Sequence, residues 1–271
     1  MKIACFADEI SPVFSDQLRV MEQLQIHWMD LRSCWDTPVL QLNRHQITDI
    51  RDMAREKGIQ VSCVSTAIGK ESIDAPAENA LEQLRAAADI AHMCDAKYVR
   101  VFSYYPGETP RQQAREEAAS RLSKLADLAR QENVILVMES AKVTTCGAGW
   151  ETAELLQRVD SPHLRAVMDP AAFVAAGDKP LTDSLPRIAP YLEYVHIKDS
   201  RFGQSQRFVA GEGDAQVADI LDALRERDDL FLSLEPHLSY AGPAGGFSGE
   251  EPFRRAHSAL IRILDRCKIP Y

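Results

Sequence analysis

Four side chains able to bind a cation or move a proton sit at the ends of four successive apolar runs. Glu139 follows Leu136-Val137-Met138, Asp169 follows Ala166-Val167-Met168, His196 lies in Tyr194-Val195-His196-Ile197, and Glu235 follows Leu232-Ser233-Leu234. The four stand roughly 25 to 40 residues apart, about one strand plus one crossover helix of a parallel α/β fold. Two glutamates, an aspartate and an imidazole are hard or borderline donors. They suit one divalent ion such as Mn, Mg, Co or Zn better than a soft metal that wants thiolate. An acid after an apolar run is also an ordinary helix cap or loop residue. Four of them on consecutive strands make that explanation the weaker one. Alternation along residues 194–199 puts His196 and Lys198 on one face and Val195, Ile197 and Asp199 on the other.

Eight repeats of strand and helix are needed to bring such ends together. Lys2 to Ala7 reads as the first strand and Phe14 to Leu24 as a helix; Trp28 to Leu31 is the second strand, with a helix over 43–57 stopped by Gly58. Gln60 to Ser65 is the third strand, followed by a helix from Ala77 to Met93, and Tyr98 to Phe102 is the fourth. Thr109, Pro110 and Gln112 read as a capped helix start, with the helix running to about Glu132. The fifth strand ends at Glu139 and its helix begins at Trp150; the sixth ends at Asp169, with a short helix over Leu181 to Tyr191. The seventh is the 194–199 stretch, with a helix from Val217 to Arg227. The eighth ends at Glu235, and Ser248-Gly249-Glu250-Glu251 reads as a second capping box opening a helix to about Cys267.

Strict alternation in 271 residues predicts one (β/α)8 TIM barrel, a fold of about 250 residues, as a single domain over residues 1–271. An open doubly wound sheet would want a glycine-rich phosphate turn after the first strand, and Asp8-Glu9-Ile10-Ser11-Pro12 contains no glycine. The composition, 45% hydrophobic and 26% charged, is that of an ordinary globular chain. A net charge of -9 opposes attraction to nucleic acid or anionic membrane and points to a small-molecule partner. The six cysteines show no CxxC pair, and no stretch reaches the ~18 apolar residues of a membrane span. Reduced thiols and a cytoplasmic location are expected; a homo-oligomer is left open.

The ordered set Val137-Met138-Glu139, Val167-Met168-Asp169-Pro170, Val195-His196-Ile197-Lys198-Asp199 and Leu234-Glu235-Pro236 resembles the sugar phosphate isomerase/epimerase group of xylose isomerase-like barrels. Asp8-Glu9-Ile10-Ser11, Ile68-Gly69-Lys70, Arg100-Val101-Phe102-Ser103 and Gly211-Glu212-Gly213 extend the likeness over nearly the whole chain. The resemblance implies that Glu139, Asp169, His196 and Glu235 hold one divalent metal, and that Glu139 and Glu235 move the substrate proton. A metal joining a carbonyl and a neighbouring hydroxyl oxygen would stabilise the enediolate formed as that proton leaves. Ala172 stands where group members often carry Asn or His, and Ser140 where they often carry Asn. DNA-repair members add histidines after early strands, where this chain has Arg32, Ser65-Thr66 and Ser103.

Further candidates for substrate contact are Lys198, His237, Glu9, Lys70 and Arg207, each with an ordinary surface or capping role as the alternative. Lys142 reads as a surface charge. The amides of Gly211-Glu212-Gly213-Asp214 could approach a phosphate, though two acids favour a plain turn. The expected activity is a metal-dependent isomerase or epimerase of a sugar, sugar phosphate or polyol. The competing readings are a dehydratase of a keto-inositol or dehydroshikimate, and a non-catalytic sugar-binding barrel.

Overall fold

All four chemistry-bearing runs are strands of one closed parallel barrel in the computed structural model, which describes residues 1–242 and 245–271. In chain order the barrel strands are β1 (Lys2–Phe6), β2 (Trp28–Leu31), β3 (Gln60–Ser65), β4 (Tyr98–Val101), β5 (Ile135–Met138), β6 (Leu164–Met168), β7 (Leu192–Ile197) and β8 (Phe231–Leu234). Each pairs in parallel with its neighbours in sequence, and β8 closes on β1 through Lys2 opposite Phe231. The helices are α1 (Phe14–Gln23), α2 (Arg44–Glu56), α3 (Ala77–Met93), α4 (Arg111–Gln131), α5 (Gly149–Val159), α6 (Pro170–Ala176), α7 (Leu185–Ile188), α8 (Val217–Ala223) and α9 (Glu250–Cys267).

Alternation decides which side chains enter the barrel. Val137, Val167, Tyr194 and Phe231 form a buried inner cluster with Ala4, Cys63 and Tyr98. Two residues further along their strands stand Glu139, Asp169, His196 and Ser233, so these four inherit the inward direction; Glu235 follows two beyond Ser233. Below this layer Asp30 is buried and accepts from Ser62 Oγ at 2.7 Å, from Tyr194 OH at 3.2 Å and from Ser233 Oγ. Burial pushes its carboxyl above the usual value, and Ser233, His196, Ser62 and Arg100 only partly offset this. The outer faces of the strands pack against the helices, as with Ile47, Ile50 and Ala54 of α2.

Local chemistry sets most boundaries. Asn43 caps α2 through a complete capping box, accepting from Gln46 N–H at 3.0 Å while its own N–H donates to Gln46 Oε1 at 2.9 Å. Two expected caps fail. Thr109 gives its hydroxyl to Asp74 Oδ1 at 3.0 Å and α4 starts after Pro110. Ser248 gives its hydroxyl to Glu9 Oε2 at 2.7 Å and Gly249 precedes α9. In both places a tertiary acid outcompetes the helix for the hydroxyl. The stretch expected as one helix over Leu181 to Tyr191 is a π turn, the short α7 and a 3₁₀ turn, broken by Pro186 and Pro190. An additional helix, α6, begins directly after Asp169. Three two-stranded hairpins raise the rim: Ser33–Cys34 with Thr37–Pro38, Asp199–Ser200 with Arg207–Phe208, and Tyr240–Gly242 with Gly245–Phe247.

Candidate active site

Glu139, Asp169, His196 and Glu235 converge at the C-terminal mouth of the barrel. Each offers one ligand atom, all four atoms lie within 4.8 Å of one another, and all four residues are buried. Donors at about 2.0–2.3 Å from one ion can stand up to about 4.6 Å apart, so this is close to the span a single ion requires. His196 Nδ1 is buried with no hydrogen-bond partner, although Glu235 Oε2 is 3.2 Å away and Glu139 Oε1 3.7 Å. An orphaned imidazole nitrogen facing two carboxylates fits a divalent ion.

Asp169 serves two ends. Its Oδ1 accepts from Ala172 N–H at 3.0 Å and caps α6, while Oδ2 turns inward to Lys198 Nζ at 3.0 Å. The capping explanation and the site explanation therefore hold together. Lys198 also donates to Glu235 Oε2 at 2.6 Å and stands 3.8 Å from Glu139 Oε1.

Two arginines complete the charge balance, and neither was singled out by sequence reasoning. Arg100, inward on β4, donates to Glu139 Oε2 at 2.9 Å and stands 3.5 Å from Glu235 Oε1. Arg32, just past β2, donates to Glu235 Oε1 at 3.2 Å, to Asp8 Oδ2 at 2.8 Å and to the Gly246 carbonyl at 2.8 Å. Both guanidinium carbons lie 5.0 Å from the centre of the Phe6 ring. A signal existed for Arg100: a charge in the middle of Tyr98-Val99-Arg100-Val101-Phe102 needs a buried partner.

The site is poised for positive charge. Burial and Glu235 push the Glu139 carboxyl up, but Arg100, His196 and Lys198 outweigh them and hold it well below the usual range. Glu235 is held down likewise, with Lys198, His237 and His196 outweighing burial. Burial pulls the His196 imidazole down, yet Glu139 and Glu235 raise it to about 9.

The remaining candidates divide. Lys70, Lys198, Arg207 and His237 line a cavity of about 630 Å³ together with Glu139, Asp169 and Glu235. Glu9, a candidate for substrate contact or helix capping in the sequence, is not among the residues lining the cavity and is fully buried behind His237. Glu9 Oε1 accepts from His237 Nδ1, and Oε2 accepts from His237 N–H at 3.2 Å and Ser248 Oγ at 2.7 Å. This leaves His237 Nε2 3.4 Å from Glu235 Oε1. His237 holds the left-handed backbone (φ 52°), and a Cβ on Gly246 would come within 2.0 Å of its Nδ1, so the rim hairpin locks the ring. The turn after β7 is no phosphate cradle. Gly211, Gly213 and Ala215 give their amides to the Asp199 carboxylate at 2.8 to 3.0 Å.

Comparison with known proteins agrees with this architecture. A curated relative, the 3-dehydroshikimate dehydratase of Bacillus anthracis, is 25% identical over 146 residues, 54% of this chain and 51% of that protein. The chain thus spans about half the length of the curated relative it matches. The IOLI protein, solved with a zinc atom, superposes with a TM-score of 0.77 and 16% identity, covering 98% of this chain and 99% of that one. A D-tagatose 3-epimerase-like protein gives a TM-score of 0.79 at 14% identity, covering 99% and 98%. At these identities the solved structures speak for the fold. The family model for the xylose isomerase-like TIM barrel matches residues 21–263, and the chain belongs to that family.

Proposed function

We propose that this protein is a divalent-metal-dependent enzyme that moves a carbon-bound proton beside a carbonyl group of a small polyhydroxylated compound, as an isomerase or epimerase. The observation that carries the reading is the convergence of Glu139, Asp169, His196 and Glu235 within 4.8 Å around a buried imidazole nitrogen that makes no hydrogen bond. These four would hold the metal, which supplies a Lewis acid that polarises the carbonyl. The chain's own residues account for the proton. Glu139 and Glu235 end β5 and β8, with β6 and β7 between them in the barrel, and so approach a substrate carbon from different sides. One takes the proton and the other returns it, to the opposite face or to the adjacent carbon. Arg100 engages Glu139 Oε2 and leaves Oε1 toward the centre, while Lys198 screens negative charge as it develops on the substrate oxygens.

A second reading, a dehydratase, is favoured by His237. Its Nε2 stands at the cavity beside Glu235, and Glu9 fixes the ring from behind. With a glutamate taking the carbon-bound proton, His237 can protonate a β-hydroxyl as its C–O bond breaks, releasing water. The dehydratase activity named for the curated relative is consistent with this.

The test is a panel of sugars, sugar phosphates, keto-inositols and 3-dehydroshikimate in deuterated buffer with Mn²⁺, Mg²⁺, Co²⁺ or Zn²⁺. Metal-dependent deuterium at a rearranged carbon supports the isomerase or epimerase, and a dehydrated product supports the second reading. Glu139→Gln and Glu235→Gln, each with metal bound, should stop exchange, since an amide is no base. Binding without exchange for every compound would identify a non-catalytic barrel.

A further inference from the structure

Asp30, on β2, is 1% exposed and lies outside both the cavity wall and the four converging ligand groups. Its surroundings come from three other strands. Ser62 Oγ of β3 at 2.7 Å and Tyr194 OH of β7 at 3.2 Å donate to Oδ1, and Ser233 Oγ of β8 donates to Oδ2. Tyr194 stands two residues before His196 on its strand and Ser233 two before Glu235, so Asp30 sits directly under two of the four donors. Hydroxyls converging on both oxygens suit an ionised carboxylate, which only accepts; a protonated one would need a hydroxyl to turn and accept from it. Among the described residues these hydroxyls are its partners, and no cation bonds it.

The charge above it is nearly balanced without an ion. Among the described residues, the lysine and arginines in contact with Glu139, Asp169 and Glu235 are Lys198, Arg100 and Arg32. Arg32 has Asp8 as its own acidic partner, and His237 has Glu9. Arg100 and Lys198 thus leave the three acids one net negative charge. A divalent ion held by those acids and a neutral His196 turns this into one net positive charge, in a buried place where an uncompensated charge costs most. Asp30 offsets it. Burial disfavours the charge of Asp30, and the Ser233 hydrogen bond, His196, Ser62 and Arg100 only partly favour it. A cation above would favour it further. The dependence is mutual, since a carboxylate that a bound ion stabilises holds that ion in return.

We propose that Asp30 is the buried counter-charge of the metal centre, an ionised carboxylate beneath the four donors that strengthens their hold on a divalent ion through its charge while touching neither the ion nor the substrate. This rests on the metal reading of Glu139, Asp169, His196 and Glu235 and is independent of the reaction catalysed. Asp30 is a positioning residue for charge, and the hydroxyls of Ser62, Tyr194 and Ser233 keep it ionised.

The experiment is a titration of the parent and its variants with Mn²⁺, Co²⁺ and Zn²⁺, without substrate, at low and high salt. Asp30→Asn keeps the shape, and its amide can bond all three hydroxyls, so the charge is what it removes. It should weaken all three ions about tenfold or more, by one common factor and at both salt concentrations, because the ions carry equal charge and salt does not reach the lost one. Tyr194→Phe removes a hydrogen bond across the barrel and keeps the charge; it should lower the urea midpoint and leave the three affinities within about twofold of the parent. Parent-like binding by Asp30→Asn, losses that differ from ion to ion as a displaced donor would give, or an equal loss in Tyr194→Phe would overturn the proposal. Asp30→Ser, a second charge-free variant, should repeat the loss; if neither variant folds, Asp30 serves the fold and the proposal falls. A parent that binds none of the ions contradicts the metal site itself, and this proposal with it, whereas a parent that binds them no better than Asp30→Asn contradicts this proposal alone.

Discussion

Lys198 carries the most information of any single side chain, because its ammonium touches two of the four converging groups and approaches a third. Burial alone would lower its pKa, but Asp169, Glu235 and Glu139 raise it above the ordinary lysine value, so it stays charged at any working pH. The two-residue strand period anticipated that it shares a face with His196. What alternation does not convey is the length of the side chain, which folds back onto the acids. Lys198→Met keeps much of that length and removes the charge. It should lower kcat/KM by about 10- to 1,000-fold, equivalent to about 1.4 to 4 kcal/mol of transition-state interaction. It should also tighten Mn²⁺ binding several-fold, because ammonium and metal compete for the same oxygens. Kinetics together with a Mn²⁺ titration check both, and a variant unchanged in both would make Lys198 a bystander.

At the scale of elements, the turn after β1 and the turn after β8 are joined through Glu9, which holds His237 and Ser248, while the Ser248 and Gly249 amides donate to the Glu9 carbonyl at 3.1 and 2.9 Å. Burial would push the Glu9 carboxyl up. The His237 hydrogen bond and charge, with Arg32 and Ser248, hold it below 4.5 instead. A carboxyl lowered by folding contributes stability that is present above its unfolded value and is lost as pH falls through its folded value. Glu9→Gln should therefore unfold at lower urea than the parent near neutral pH, by about 1.5–3 kcal/mol. The gap should narrow in acid well below 4.5; a gap that is constant across that range would separate Glu9 from the acid sensitivity.

The barrel strands were legible in the sequence because each is a short apolar run with a polar end, and Gln60–Ser65 and Ala77–Met93 fall where spacing places them. The helix starts at Thr109 and Ser248 were misread because Asp74 and Glu9, distant in sequence, take those hydroxyls. The same limit hid Arg32, and it hid the partners of Arg100, whose charge inside an apolar strand was itself visible. Their meaning lies in partners on other strands, and no local pattern reports that two guanidiniums flank Phe6 on the way to Glu235. Removing either would leave a buried carboxylate short of a partner, a change that costs about 3–5 kcal/mol in comparable buried pairs.

For the molecule as a whole, a closed barrel turns eight separate strand ends into one electrostatic object. The chain is acidic overall, yet its mouth gathers arginines and lysines around three carboxylates and an imidazole. Among the described residues no helix is long and apolar enough to cross a membrane. The central claim is that Glu139, Asp169, His196 and Glu235 hold one divalent ion, and anomalous diffraction from crystals soaked in Mn²⁺ tests it most directly. The account predicts one strong peak at the barrel mouth, about 2.0 to 2.4 Å from a donor atom of each of the four side chains. No peak there, or a peak bound by other residues with these four bonded only to Lys198 and the two arginines, would contradict it.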